Sequence, residues 1–309
     1  MTQPSDQLEK SGWTHPVRLY GLFFISVLLF WALRPAYAEK TLRVEVLPSV
    51  AKQGEVCLIK ASSPATFKSI HGEFRGERFP LAFGAHNRTY EGLLGIDLNT
   101  RPATYGVKVV AIDGSGRVYA SALLVKVEKV AFRTQKLSLP SSMVDLDLET
   151  LERVNKEERR LRALFQVFRE ERLWSGPFLR PVPGELTTAF GMRRIINGQR
   201  RSPHAGVDLR AEEEAPVLAC NSGAVVLVDQ LFFSGKSVIL DHGWGIYSMY
   251  FHLSAALATE GDRVRTGDLL GRVGSTGRST RPHLHWGIRI NGARVDPLSL
   301  LRLTEHLRE

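Results

Sequence analysis

Cysteine is nearly absent from this chain, with two residues, Cys57 and Cys220, among 309. Their separation excludes the local disulfide framework that holds many small secreted domains together. We predict that both are buried small apolar residues, with a bridge between two domains as the less favoured alternative. The motif H-E-x-x-H is also missing, which excludes a helical metal site that carries its own glutamate base.

Long hydrophobic runs are lacking too, since the apolar run at residues 19–33 is shorter than the roughly 20 residues that span a bilayer comfortably. Lys10 and Arg18 precede this run, and a small-x-small pattern ending at Ala38 follows it. The layout predicts a signal peptide at residues 1–38, cleaved after Ala38. An uncleaved signal anchor is the alternative, and it would be the chain's contact with the membrane. Either version predicts an exported protein of the periplasm or cell envelope.

Basic residues exceed acidic ones, 41 to 32, which gives a net charge of +9. They are dispersed among glutamates, so we expect no nucleic-acid partner. A basic surface raises the encounter rate with anionic partners in general.

Short alternating apolar segments separated by glycine-rich turns predict a mostly β chain. We expect an immunoglobulin-like β-sandwich at residues 39–132 and an antiparallel β catalytic domain at residues 184–309. The linker at residues 133–183 contains apolar residues at helical spacing, which predict an amphipathic helix at about 147–173. Packing against a neighbouring domain is favoured over partner binding as the role of its apolar stripe.

Two histidine motifs in the last third carry the chemistry. The first is His204-x-x-x-Asp208, and the second is His283-Leu284-His285. A catalytic zinc takes three nitrogen or oxygen ligands and keeps one position open. Residues two apart in a strand face the same way, so one histidine of the second motif could bind metal while the other handles protons. Pro203 and Gly206 disfavour a helix, and Gly206 is the expected bending point of an extended segment.

His252 follows a predicted strand in the stretch Tyr250-Phe251-His252-Leu253, where its side chain can face a groove. It is a second candidate for proton transfer. Two further residues receive plainer interpretations. His242 is expected in a solvated turn, with a hydrogen bond towards the site as the alternative, and Asp296 before Pro297 is expected to cap a turn or helix.

These motifs together resemble the lysostaphin/LytM-type zinc endopeptidases, which cut peptide bridges in bacterial peptidoglycan. The resemblance covers about the last third of the chain and includes residues 188–193, the glycine-rich residues 273–277 and residues 295–297. It implies that His204, Asp208 and His285 are zinc ligands and that His252 and His283 are the catalytic pair. Peptidoglycan stem peptides are then the expected partner.

The resemblance also leaves an alternative function, because some relatives have lost metal ligands and act as non-catalytic wall-binding modules or activators of cell-wall amidases. Here every ligand position is filled, which favours the enzyme. Arg193, Arg194 and Asn197 precede the first motif, and either a place in the substrate groove or surface solubility would explain them.

Overall fold

The computed structural model describes residues 41–84, 89–138 and 144–305. The predicted signal segment at residues 1–38 lies outside these ranges, as do His15, His86 and His306. Within them, no helix combines the length and the apolar character needed to cross a membrane.

Residues 43–128 form two sheets. Their strands are β1 Arg43–Leu47, β2 Val50–Lys52, β3 Val56–Ser62, β4 Phe67–Phe74, β5 Glu77–Pro80, β6 Ala82–Phe83, β7 Thr89–Gly95, β8 Ala103–Asp113 and β9 Val118–Glu128. One sheet has the order β1-β3-β7-β6 and the other β2-β9-β8-β4-β5. Ile59 and Val109, both fully buried, face a common core between the sheets. This is a β-sandwich, and its immunoglobulin-like classification stays a prediction.

The rest of the described chain is built mainly from short strands. They are β10 Thr134–Leu137, β11 Glu185–Thr188, β12 Arg193–Ile196, β13 Gln199–Arg201, β14 Gly206–Arg210, β15 Pro216–Leu218, β16 Gly223–Leu231, β17 Gly235–Asp241, β18 Ile246–Ala256, β19 Arg263–Val264, β20 Leu269–Val273, β21 Leu284–Ile290 and β22 Ala293–Val295. The principal sheet has the order β11-β14-β21-β18-β17-β16-β19. The prediction of a mostly β chain with antiparallel sheets is confirmed.

Two helices complete the described structure, α1 Leu148–Leu164 and α2 Pro297–Thr304. Asp147 caps α1 by accepting a hydrogen bond from the backbone N–H of Thr150. Asp296 caps α2 by accepting one from Leu298, which confirms the capping role expected for this residue. Leu161 and Leu164 of α1 pack on the face of β16–β18, whereas Leu148 and Leu151 are exposed, so the packing interpretation is confirmed for the C-terminal part of the apolar stripe.

The linker helix is shorter than the predicted 147–173, because it ends at Leu164. Side chains of the principal sheet use the next backbone carbonyls: Tyr247 donates to Val167 O, and Trp244 Nε1 donates to Glu170 O at 2.9 Å. Leu173 N donates to His242 O at 2.9 Å. These bonds hold residues 167–173 against the sheet and compete with helical pairing.

The linker also contributes to the core and to a small second sheet. Trp174, Phe178 and Val182 lie in the same buried cluster as β14 and β21. Strand β10 pairs in parallel with β12, and Phe132 packs edge-on against Phe190 with ring centroids 6.5 Å apart. The predicted domain boundaries at 132 and 183 stay predictions, and the core extends upstream of the second one.

Polar contacts join the sandwich to the principal sheet. Arg294 donates to both carboxylate oxygens of Asp97 at 2.9 and 3.0 Å, and Ser299 Oγ accepts from Val56 N at 3.0 Å. The two cysteines are buried and free, as predicted, and lie in different core clusters. This placement contradicts the alternative of a bridge between domains.

Candidate metal centre

Strand pairing places two of the predicted ligands side by side. Asp208 on β14 lies directly opposite His285 on the antiparallel strand β21, and His285 in turn lies opposite Phe251 on β18. Directly opposed residues project to the same face of a sheet. The ring of Phe251 stacks on that of His285, with centroids 5.5 Å apart and an interplanar angle of 5°. The apolar ring therefore limits how His285 can rotate.

His204 reaches the same point from just before β14. Its backbone N–H donates to Met192 O at 2.9 Å, and its carbonyl accepts from Gly191 N at 2.8 Å. Its Nδ1 donates to the carbonyl of Ala189 at 3.0 Å. Because a carbonyl can only accept, the neutral ring keeps its proton on Nδ1 and presents an unprotonated Nε2 to the site.

Three donor atoms meet here. His204 Nε2 lies 2.8 Å from His285 Nδ1, and each of these nitrogens lies 2.9 Å from Asp208 Oδ1. We call these three atoms the donor triangle. His204 and Asp208 are buried, with relative exposures of 2% and 6%. When both rings are neutral, the three atoms share at most one proton. Several of their lone pairs then face each other, and a bound cation would remove this repulsion.

The donor set fits a metal ion. Two imidazole nitrogens and one carboxylate oxygen are ligands that zinc accepts, and His204 is held through its other nitrogen, as metal-bound histidines usually are. Burial would raise the pKa of Asp208, but hydrogen bonds from His204 and His285 outweigh it and hold this pKa well below its usual range. Burial lowers the pKa of His285 to about 4, which keeps it neutral and able to bind metal.

The close packing around residue 206 leaves no room for a side chain, so a glycine is required there. A Cβ at this position would lie 2.5 Å from Trp286 O and 2.7 Å from His285 Nε2. Its φ is not in the left-handed region, so the close approach of β21 explains the glycine better than a special bend does.

His252 occupies a strained position within β18, with φ of 66° in the left-handed region. Its backbone N–H donates to Ser234 O at 2.8 Å, and its Nδ1 donates to Thr276 O at 2.8 Å. Non-glycine residues in this conformation occur preferentially at functional sites. Burial, followed by the charges of His285 and His283, lowers the pKa of His252 to about 3. Its Nε2 is left unprotonated.

Leu284 faces the core, and His283 faces the site on the other side of the chain, as the H-x-H spacing predicts. Its Nδ1 donates to Arg281 O at 2.9 Å, and its Nε2 lies 3.7 Å from Asp208 Oδ1. The rings of His252 and His283 are 4.9 Å apart between centroids. All five residues singled out from the sequence therefore lie in one place, with His204, Asp208 and His285 in the donor triangle and the other two beside it.

The expectation for His242 was wrong. Its side chain is fully buried, with Nδ1 donating to Ser222 O and Nε2 paired with Ser248 Oγ, both at 2.7 Å. Burial lowers its pKa to about 4. Arg194, for which the sequence left a place in the substrate groove and surface solubility open, lies beside the triangle, with its Nη2 3.5 Å from Asp208 Oδ2. The position of Arg194 depends on the pairing of β12 with β10, and no local feature of the sequence predicts this pairing.

Comparison with known proteins agrees with this geometry. Residues 202–297 match the model of peptidase family M23, so this part of the chain is similar to that family. The match contains all five site residues. A peptidase M23 crystal structure from Pseudomonas aeruginosa is similar over 81% of this chain and 94% of that one, with a TM-score of 0.63 and 28% identity.

Curated relatives are similar over the C-terminal part. The chain is 42% identical over 126 residues, 40% of its length, to DD-carboxypeptidase/endopeptidase Mpg of Neisseria meningitidis. It is 32% identical over 114 residues, 37% of its length, to peptidoglycan DD-endopeptidase ShyA of Vibrio cholerae. These segments span 29% and 26% of the two relatives, so the chain matches less than a third of either.

Proposed function

We propose that this protein is a zinc-dependent endopeptidase that hydrolyses peptide cross-links of bacterial peptidoglycan. The observation that carries the proposal is the donor triangle, in which His204 Nε2, Asp208 Oδ1 and His285 Nδ1 lie 2.8 to 2.9 Å apart. A triangle of this composition with two further imidazoles beside it matches a catalytic zinc centre better than a structural one, which would use four protein ligands.

His204, Asp208 and His285 would hold the ion. A zinc ion in this place would supply a Lewis acid for the scissile carbonyl and would make a water acidic enough to act near neutral pH. Asp208 contributes one negative charge, so the centre keeps a net positive charge and its affinity for a developing oxyanion.

Proton transfer is assigned to His252 and His283. Each donates Nδ1–H to a backbone carbonyl, of Thr276 and Arg281 respectively, and so keeps a lone pair on Nε2. A neutral imidazole held in this way can accept a proton from the attacking water and return it to the leaving amine. The 4.9 Å separation of the rings lets one histidine hold the proton while the other faces the negative oxygen.

The substrate assignment rests on the relatives. Relatives named DD-carboxypeptidase/endopeptidase and peptidoglycan DD-endopeptidase support a D-alanyl to diaminopimelate cross-link over a glycine bridge. The apolar leader at residues 19–33 supports export to the periplasm or cell envelope, where this substrate lies.

Digestion of isolated sacculi tests the proposal. The purified protein is incubated with sacculi and zinc, and the released muropeptides are separated by chromatography. We expect loss of cross-linked dimers, and no loss with an Asp208→Ala variant or in the presence of a chelator. If zinc binds tightly but no dimer is cut, the protein is instead a silent wall-binding module or an amidase activator.

A further inference from the structure

Two stretches of the chain that contribute to the site contain arginines but no acidic residues. No Asp or Glu occurs between Glu185 and Asp208, and none occurs between Asp268 and Asp296. These two stretches supply all the histidines of the site except His252. Six of the arginines in these stretches flank the histidine motifs: Arg193, Arg194, Arg200, Arg201, Arg278 and Arg281.

Several arginines elsewhere in the C-terminal half pair with carboxylates. Arg169 pairs with Asp241 at 2.8 Å, and Arg263 pairs with Glu171 at 3.4 Å. Among the six arginines that flank the motifs, and within the described residues, only Arg194 has a carboxylate within ion-pair distance. That carboxylate is Asp208, whose charge is already shared by two histidines. Carboxylates of the described residues therefore leave most of the positive charge of these arginines uncompensated.

Three of these side chains form what we call the arginine cluster, Arg194, Arg201 and Arg278. Arg194 on β12 and Arg201 on β13 are directly opposed in the antiparallel register. Like charges at such positions repel each other. Arg278 lies two residues after Thr276, whose carbonyl accepts from His252 Nδ1, so it stands at the edge of the same site. Burial, followed by the charges of Arg194 and Arg201, lowers the pKa of its guanidinium, in keeping with this placement.

Some N–H groups of the arginine cluster have no hydrogen-bond acceptor among the described residues. The Nε atoms of Arg194 and Arg201 are buried and have no hydrogen-bond partner among the described residues. Arg201 Nη2 donates to the neutral oxygens of Val144 and Gln199. Arg278 stacks its guanidinium 4.1 Å above the ring of Phe233, a contact that leaves its N–H edge free.

The cluster borders the catalytic groups. Arg194 Nη2 lies 3.5 Å from Asp208 Oδ2, and Arg278 follows two residues after Thr276, whose carbonyl fixes His252. An anion in the cluster would thus lie next to the scissile bond of a bound peptide.

We propose that the arginine cluster binds a free carboxylate of the peptide substrate, and so selects peptides that carry this charge next to the bond to be cut. This inference rests on the proposed peptidase function. Peptidoglycan stem peptides are acidic, and a planar guanidinium pairs with a carboxylate through two parallel hydrogen bonds. An amidated stem peptide, in which the carboxylate has become a carboxamide, would lose this pairing and leave the repulsion between the arginines unrelieved.

Paired substrates test the proposal on the unmodified protein. Two soluble cross-linked peptides are compared, identical except that one carries carboxamides in place of the side carboxylates. We expect kcat/KM to be at least about tenfold higher for the carboxylate form, mainly through KM, because hydrogen bonds between charged groups are the stronger ones. The preference should shrink in high salt. Equal values for the two peptides would overturn the proposal while leaving the peptidase function intact.

Arginine variants test whether the arginine cluster produces the preference for the carboxylate peptide. Arg278→Gln and Arg201→Gln should each reduce the preference to about threefold or less, while Arg278→Lys should retain part of it. Arg263→Gln is the matched control, since it removes an exposed guanidinium paired with Glu171 away from the cluster. A full preference in both glutamine variants, with correct folding shown by circular dichroism, would assign the selectivity to other residues and contradict the inference.

Equilibrium binding separates this proposal from the proposed function. Calorimetric titration of the full chain with an uncleavable linear stem peptide, in free and amidated forms, requires no hydrolysis. Tighter binding of the free form that is lost in Arg278→Gln supports the cluster even if sacculi are not digested. Equal binding of both forms by the unmodified protein counts against it in either case.

Discussion

Replacing Gly206 by alanine should disable the metal centre without unfolding the protein. The added Cβ would lie 2.5 Å from Trp286 O and 2.7 Å from His285 Nε2. Ordinary contacts begin near 3.4 Å, so β21 and the imidazole would have to move by about 0.7 to 0.9 Å. Since His285 supplies one corner of the donor triangle, the displacement directly stretches the ligand set.

The size of the effect follows from that displacement. A misplacement of about 1 Å in a catalytic group costs roughly 100-fold in rate. We expect hydrolysis of cross-linked muropeptides to fall about 100-fold and zinc affinity to fall at least about tenfold. The free energy of unfolding should drop by only about 1 to 3 kcal/mol, the usual cost of overpacking. Zinc affinity is measured by competition with a chromophoric chelator, and stability by urea unfolding.

Gly106→Ala is the matched control, because a Cβ there meets nothing within 4 Å on strand β8. It should behave as the unmodified protein. Zinc affinity and activity of Gly206→Ala within twofold of that control would refute the reasoning, since the contact would then be relieved without moving His285.

Three further predictions concern the catalytic pair, a buried histidine and the contact between the sandwich and the principal sheet. His252→Ala and His283→Ala should each lower hydrolysis by about 100-fold or more while zinc affinity stays within a few-fold, because neither belongs to the donor triangle. The pKa of His242 is lowered to about 4 by burial, below the 6.5 of an unfolded histidine, so this residue by itself should lower the free energy of unfolding by about 3 kcal/mol as the pH drops from 6.5 to 4. Asp97→Ala should lower the free energy of unfolding by about 2 kcal/mol, since Arg294 loses a bidentate partner and both side chains are about a quarter exposed.

Each of these three predictions has an outcome that would contradict it, and two of them have a control variant. Loss of zinc in either catalytic-pair variant would show that the ring belongs to the ligand set. A His242→Gln variant should show a flatter dependence of unfolding free energy on pH, and an unchanged slope would assign the titration to other groups. Glu171→Ala, which removes an exposed pair, should cost less than about 0.5 kcal/mol, and an equal effect of Asp97→Ala would contradict the estimate.

The strands around the site could be predicted because their apolar alternation and glycine-rich turns are local signals. The largely apolar segments at 224–228, 237–240 and 247–250, which lie between such turns, fall within β16, β17 and β18. The H-x-H spacing placed His283 and His285 on one side of β21 for the same reason, since a strand alternates with period two. Which of the two joins the donor triangle depended on the register of β14 with β21, and spacing alone does not encode it.

Features set by contacts distant in sequence could not be predicted. The amphipathic pattern of the linker continues beyond Leu164, but carbonyls of residues 167 and 170 are taken by Tyr247 and Trp244. His242 has a turn-like neighbourhood, yet strand packing buries it against Ser248. The arginine cluster requires β12, β13 and the loop after β20 to meet, so only the lack of acidic residues in both stretches hinted at it.

The aromatic residues upstream of residue 184 limit how short a working fragment of this protein can be. Trp174 and Phe178 are buried in the same core as the strands that carry the site, and β10 pairs with β12 through backbone hydrogen bonds. A truncation at residue 184 would strip these side chains away and open apolar surface to water, inviting aggregation. A stand-alone version of the C-terminal domain should therefore begin upstream of Phe132, well before residue 202, where the match to the family model starts.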